Sequence, residues 1–471
     1  MAVQQVEQIL STIDTETIEQ FQATMRGNLI VAGDDNYREV RAVQNGMIER
    51  QPALIAQCNG VADVISAVNF AREHDLLTAI RGGGHNVAGN ALCDGGIVID
   101  LSRMRSVRVD PAARTVRAEG GATWADVDRE TQVFGLAAPG GNVSTTGIAG
   151  LSLHGGMGHL RRKYGFSVDN ILSLDVVLAD GSLVTASETE RPDLYWAMRG
   201  AGSNFGVVTS IEFRCHPVGP IVALCAPFYP AADAPQVLAA WWEYLKTAPD
   251  EVSSIGLLWS IPELEGFPEE LHDVPVVIPA AVYAGPADEG ERIMQPLREL
   301  GTPLLDLSGQ LPYTAVQTAF DPMFPKGDMY YFKSQYVDGL TDELIDELCS
   351  IADKRPSSRS LIALWHQGGA TSRVDPEETP LAGRDSPLLV SFDGVWADPA
   401  DNERNIAWAR DAWAAMHDHS RGGLYLNFAG LGEEKEDLVR SGYGNNYARL
   451  AQIKNKYDPT NFFRVNNNIK P

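Results

Sequence analysis

Arg81-Gly-Gly-Gly-His-Asn-Val-Ala-Gly89 follows directly on Leu77-Thr-Ala-Ile-Arg81, a run with β-strand character, so three successive glycines open a loop at a strand end. Without Cβ atoms, such a loop lets the main chain take positive φ and turn its N–H groups toward an anion as a nest. A pyrophosphate is the natural guest. Arg81 would supply counter-charge, and His85 closes the loop with a ring nitrogen. Taken alone, the loop fits a plain tight turn equally well.

Two more glycine-rich segments lie downstream. Gly140 to Gly158 is nineteen residues with seven glycines and five hydroxyl or amide side chains, interleaved with Ile148, Leu151, Leu153 and Met157. That mixture predicts an ordered, buried turn able to wrap an extended polar ligand. Gly200-Ala-Gly-Ser-Asn-Phe-Gly206 has the outline of a dinucleotide fingerprint, but it follows a helix and precedes the strand Val207–Phe213. A nicotinamide Rossmann site needs strand, loop and helix in that order, so it is disfavoured.

Around these loops, β and α signals alternate. Residues 4–26 read as a helical lead-in. Strands are expected at 52–57, 77–81, 96–100, 107–110 and 115–119, and helices at 61–74 and 123–131, the last capped by Thr123. Ser173–Leu178 and Leu183–Thr185 flank a glycine turn as a hairpin, and Asp193–Arg214 reads helix, loop, strand. From 218 to 430 the texture changes. Strand-like runs (222–229, 254–261, 275–283, 360–366, 387–396) are spaced by helical ones (234–248, 290–300, 342–352, 402–416), which predicts an α+β unit on a mostly antiparallel sheet. A helix over 443–457 and a compact close complete the chain.

Bulk properties narrow the function. Lysine and arginine number 38 against 62 acidic residues, for a net charge of −24. Such a surface disfavours nucleic acid and anionic membranes as partners. The five cysteines are scattered without a CxxC, so zinc and iron–sulfur centres are disfavoured and no metal is expected. No signal peptide or membrane span is read from the sequence, which predicts a cytoplasmic protein, a monomer or homodimer.

In order and spacing, these segments resemble the vanillyl-alcohol oxidase superfamily with its PCMH-type FAD-binding domain, and within it the berberine-bridge-enzyme-like FAD-linked oxidases. Arg81 to His85, Thr146 to Gly150, Gly155 to Gly158, Asp169-Asn170, Asp193 to Trp196 and Phe205 to Thr209 carry the match. Tyr425-Leu-Asn427, Tyr443 to Tyr447, Tyr457 to Arg464 and Asn466 to Ile469 continue it. The resemblance implies an α+β fold: an FAD domain (1–217), a substrate domain (218–430) and a tail (431–471) returning to the first.

It implies FAD covalently held by His85. Further cofactor contacts are implied from Arg81, Gly82, Gly83, Gly84, Asn86, Thr146, Gly147, Gly150, His154, Gly155, Gly158, Asn170, Gly206, Val208, Asn427, Asn466 and Asn468. It implies hydride abstraction from a small alcohol, amine, sugar or secondary metabolite, with O2 reduced to hydrogen peroxide. A dehydrogenase using another acceptor, and a flavin carrier without turnover, remain open.

Two departures from the family pattern matter. Where relatives with a second flavin bond carry cysteine, this chain has Val143, which predicts one histidyl link like that of the bacterial one-link oxidases. Where sugar oxidases carry a tyrosine base, the motif here is Tyr425-Leu-Asn-Phe428, and phenylalanine takes no proton. By residue type the base is sought at His366, Tyr425, Tyr331 or Tyr336, each of which also has a plain structural reading. Thr146 and Asn427 are expected beside the reacting centre, with Thr146 at the oxygen gate.

Overall fold

The computed structural model describes residues 2–432 and 436–471, so the stretch 433–435 of the expected tail lies outside the described residues, as does Met1. Three sheets organise the α+β fold. The first runs in the order Asn28–Val31, Leu54–Gln57, Ile97–Asp100, Thr78–Arg81, with the last two pairings parallel. Leu54–Gln57 and Ile97–Asp100 are buried along their whole length, which is why each starts with three successive apolar residues rather than alternating ones. Helix Val61–Glu73 lays Val64, Ala67, Val68 and Ala71 on this sheet. The second sheet is antiparallel: Val107–Asp110, Thr115–Glu119, Val207–Arg214, Ile171–Val177, Leu183–Ser187.

Among the described residues the third sheet has nine strands, all antiparallel, with Pro275–Tyr283, Val252–Ser260, Leu361–His366 and Leu388–Trp396 running in that order to Met329–Val337 at one edge. Both its faces are buried, and the two-residue period sorts them. Leu258, Val277, Ile362, Leu364, Val390 and Phe392 pack under helices Ala234–Leu245, Asp342–Ala352 and Asn402–Ala415. Ile255, Leu257, Trp259, Ile278, Leu361, Ala363 and Trp365 face the other way, toward the glycine-rich loops.

Buried cations join these units. Arg161 donates to the carbonyls of His366 (2.8 Å), Gly158 (3.0 Å) and Ser254. Arg162 donates to Gln367, Pro249 and Val252. Carbonyl-rich sockets compensate guanidinium burial and hold helix Arg161–Tyr164 against the large sheet. At the other end Lys454, fully buried, pairs with Asp458 at 2.6 Å and donates to the carbonyls of Asn204 and Phe463, which returns the last residues to the first two sheets.

Several elements differ from expectation: the lead-in 4–26 is two helices, Ala2–Thr12 and Thr15–Thr24, and Asn28–Val31 is an added strand. The run 222–229 is two strands, Ile221–Cys225 and Pro227–Pro230, because Pro227 brings no N–H to continue the ladder. The helix over 443–457 is instead Glu436–Tyr443 and Tyr447–Tyr457 about a turn at Gly444, whose φ is +51°. Met329–Val337 is an unexpected strand, since Lys333, Ser334 and Gln335 interrupt its apolar pattern although all three are buried.

Candidate functional site

The loop 81–89 and the loop 140–158 meet main chain to main chain. A Cβ on Gly83 would lie 2.4 Å from the Gly147 nitrogen, and one on Gly147 would lie 2.4 Å from the Gly83 nitrogen. No other residue permits that approach. Of the three consecutive glycines only Gly84 has positive φ (+72°), so the loop is less of a continuous nest than its composition suggests. Together the loops floor a cavity of about 290 Å3, closed at the sides by Ser203, residues 425–428, Phe463 and residues 465–467 and roofed by the large sheet.

His85 stands at the junction. Its Nε2 lies 3.2 Å from the Thr145 hydroxyl and its Nδ1 3.4 Å from that of Thr146, so both ring nitrogens are oriented by the neighbouring loop. Burial lowers its pKa to about 4, with a further push from the charge of Lys326, against a raising hydrogen bond from Thr145. The imidazole is therefore neutral at pH 7, and one of its two nitrogens carries a lone pair. Both side-chain polar atoms of Asn142 on this floor, and the Oδ1 of Asn466 in the side wall, are buried without a partner among the described residues. Bare main chain, unpaired amides and a neutral imidazole fit a dinucleotide cofactor such as FAD.

Over this floor the sheet contributes Ile255, Leu257, Tyr330, Phe332, Leu361, Ala363, Trp365 and Asp393. Asp393 is the one carboxyl in that apolar set. It is 4% exposed, its Oδ1 has no partner among the described residues, and burial raises its pKa to about 7 despite the Ser391 hydroxyl. Phe428 lies within an aromatic box, 5.0 Å from the Tyr425 ring, 5.7 Å from Trp365 and 6.1 Å from Phe332 by ring centroids. Sequence reasoning missed Asp393. The available signal was a lone acid inside Leu388–Trp396, a strand otherwise apolar or small.

Of the residues proposed from sequence, His85, Gly82, Gly83, Gly84, Asn86, Thr146, Gly147, Gly150, His154, Tyr425, Asn427 and Asn466 all line this one cavity. His154 is held by Ser203 (2.9 Å) and the Gly150 carbonyl (3.3 Å), and burial lowers its pKa. The Tyr425 hydroxyl accepts N–H bonds from Gly156 (2.9 Å) and Met157 (3.2 Å) and one from the Asn427 amide (3.1 Å); Asn427 also donates to the Leu151 carbonyl. Burial raises the tyrosine's pKa, so it stays protonated at neutral pH and pins the glycine loop.

Other residues stand elsewhere. Arg81 is no counter-charge for a phosphate: it makes a bidentate pair with Asp100 and donates to the Val40 carbonyl, because strand alternation turns it off the cavity side of Thr78–Arg81. His366 is on the strand face opposite Trp365, where Arg161 and Arg162 sit, and with burial they hold its pKa well below the usual range. Tyr331 accepts from Arg410 under the helices, and Tyr336 packs on Gly383; neither lines the cavity. Asn170 is spent on the Tyr164 and Phe166 carbonyls and His216. Gly155, Gly158, Gly206, Val208 and Asn468 lie behind the walls: a Cβ on Gly158 would strike the Gly140 carbonyl, and one on Gly206 would strike Val176. Asn467, unforeseen, lines the cavity.

Among the described residues no group of side chains could hold a metal ion, and no helix is long and apolar enough to cross a membrane. Residues 52–187 match the model of an FAD binding domain, and residues 424–470 match the family described as berberine and berberine like. An FAD-linked oxidoreductase of Dictyostelium discoideum is 31% identical, with 97% of each chain covered. (R)-6-hydroxynicotine oxidase of Paenarthrobacter nicotinovorans is also 31% identical, over 95% of this chain and 97% of the other. The crystal structure of 6-hydroxy-D-nicotine oxidase from Arthrobacter nicotinovorans superposes with a TM-score of 0.85 at 30% identity, covering 95% of this chain and 98% of the other.

Proposed function

The chain belongs to the berberine-like FAD-linked oxidoreductases, and from that premise we propose that it is an oxidase of a small organic substrate, with FAD on one covalent bond from His85 and Asp393 as the proton acceptor. Residues 1–217 with the tail 431–471 would hold the cofactor and residues 218–430 the substrate. When bound, FAD supplies hydride acceptance from a substrate C–H bond and passes the electrons to O2, giving hydrogen peroxide.

The residues divide the remaining work. Gly82–Gly84, Thr146, Gly147 and Gly150 bring main chain to the cofactor, Asn142 offers a side-chain amide without a partner among the described residues, and Asn466 offers its amide oxygen. Thr145 and Thr146 hold the neutral His85 ring with its lone pair available. Val143 lines the cavity where a second link would need a thiol, and it offers no nucleophile. Asp393, through its free Oδ1, takes the proton from the substrate hydroxyl or amine while hydride leaves the adjacent carbon. Phe332, Leu361, Trp365 and Phe428 keep water from that carboxyl and so maintain its raised pKa.

The single observation that carries this reading is a lone, buried carboxyl, one of its oxygens without a partner among the described residues, sharing one cavity with the His85 loop. An anaerobic screen of alcohols, amines and sugars, starting with both enantiomers of 6-hydroxynicotine, tests it by loss of flavin colour. The expected result is bleaching by at least one compound, followed on admission of air by recoloration with equimolar peroxide. Recoloration only by an artificial acceptor would make the protein a dehydrogenase, and no bleaching at all would reject turnover.

A further inference from the structure

A second cavity of about 460 Å3 adjoins the first. Ile255, Leu257 and Phe320 line both, so the two are chambers on one face of the large sheet, divided at Phe320. The partition is anchored, since the next residue, Asp321, accepts from the Ser144 main-chain N–H at 2.7 Å and the Ser144 hydroxyl at 2.5 Å. Beyond it the walls are apolar and rich in rings: Phe228, Trp259, Phe267 and Phe320, with Ile278 between them. A chamber this size is within the usual range for a small-molecule site on its own.

Its polar content is small and specific. Glu265 is exposed at the rim, and Ser253 accepts from the Arg162 main chain. The remaining polar group is His159, 5% exposed, stacked beside Phe320 with ring centroids 6.3 Å apart, its Nε2 without a partner among the described residues. Burial and the charge of Arg161 keep this imidazole neutral, with a pKa of about 3. A neutral ring nitrogen either donates or accepts, and a hydroxyl is the group that complements it in either tautomer. An uncompensated polar atom in such a place otherwise costs stability.

We propose that this chamber receives a hydroxylated aromatic arm of the substrate, so that the substrate is an extended molecule with its oxidisable group beside Asp393 and a ring system beyond Phe320. The proposal rests on the adjoining cavity being the substrate site. It deepens that reading from a small organic molecule to an elongated one with two chemically distinct ends.

Equilibrium dialysis of 2-naphthol and 2-methylnaphthalene against the yellow holoenzyme tests it without requiring turnover. Both probes should bind, 2-naphthol about tenfold more tightly through one hydrogen bond. Ala280→Trp, filling the chamber from the sheet, should weaken both at least about tenfold while flavin content stays that of the wild type. Ala319→Trp does the same from the exposed opposite rim and serves if the first variant does not fold. His159→Phe should abolish the preference for 2-naphthol and leave 2-methylnaphthalene binding unchanged. Unchanged affinities in the filled variants, or a preference that survives His159→Phe, would overturn the proposal. Failure of the oxidase reading is separately visible as a flavin that no substrate bleaches.

Discussion

The floor and the roof of the cavity are built on opposite principles. The floor is main chain: glycine meets glycine at Gly83 and Gly147, with hydroxyls and amides filling the edges. The roof is side chain: alternate residues of antiparallel strands present a nearly apolar surface with one acid, Asp393. Main-chain contact tolerates very few residues at each position, whereas a sheet face accepts many apolar residues of suitable volume. A cofactor shared by many enzymes suits the first construction, and a substrate peculiar to one enzyme suits the second.

The strongest way to break this contrast is at the roof. Asp393→Asn should lower kcat/KM by about 10²–10⁴-fold, the usual worth of a general base, with flavin content unchanged. Wild-type activity should rise with pH through about 7, where the carboxyl ionises, and the variant's profile should lose that limb. Linkage gives a second readout. Because the folded state holds this proton more tightly than the unfolded chain, wild-type stability falls as pH climbs from about 4 toward 7. Denaturant titrations should show that slope flattened in Asp393→Asn.

The next effects lie under the floor. Arg81→Met leaves Asp100 buried and unpaired and should destabilise by about 3–5 kcal/mol in chemical denaturation. The folded fraction should keep its full flavin content, which separates a structural arginine from a phosphate-binding one. Gly83→Ala forces the two loops apart and should cost about 3 kcal/mol, with loss of bound flavin seen as loss of the visible spectrum. Smallest, Tyr425→Phe strips the acceptor from the Gly156 and Met157 N–H groups and should lower stability by about 1–2 kcal/mol. With Asp393 rather than the tyrosine as the proposed base, the activity–pH profile should keep its midpoint near 7.

The same contrast governs how much could be read from sequence. That the glycine loops, His85, Thr146, Tyr425 and Asn427 would gather at one cavity was legible, because close backbone approach and a ring nitrogen at a loop end leave few alternatives. Much of the alternation of helices and strands was legible from period; Met329–Val337 was not, because its buried Lys333 and Gln335 disguise it. Asp393 was not legible, since a carboxyl in a strand reads as a solvent-facing position until the second face of the sheet is known to be covered. Arg81 and Asn170 were misplaced for a related reason. A polar residue beside a loop invites a ligand, whereas here each is consumed by neighbours, Asp100 and the Val40 carbonyl in one case and His216 with two carbonyls in the other.

The most direct measurement is peptide mapping of protein precipitated with acid and washed free of loose cofactor. The account predicts a yellow pellet, with the flavin mass on one peptide spanning His85 and an unmodified peptide spanning Val143. A colourless pellet whose His85 peptide has its plain mass would contradict it.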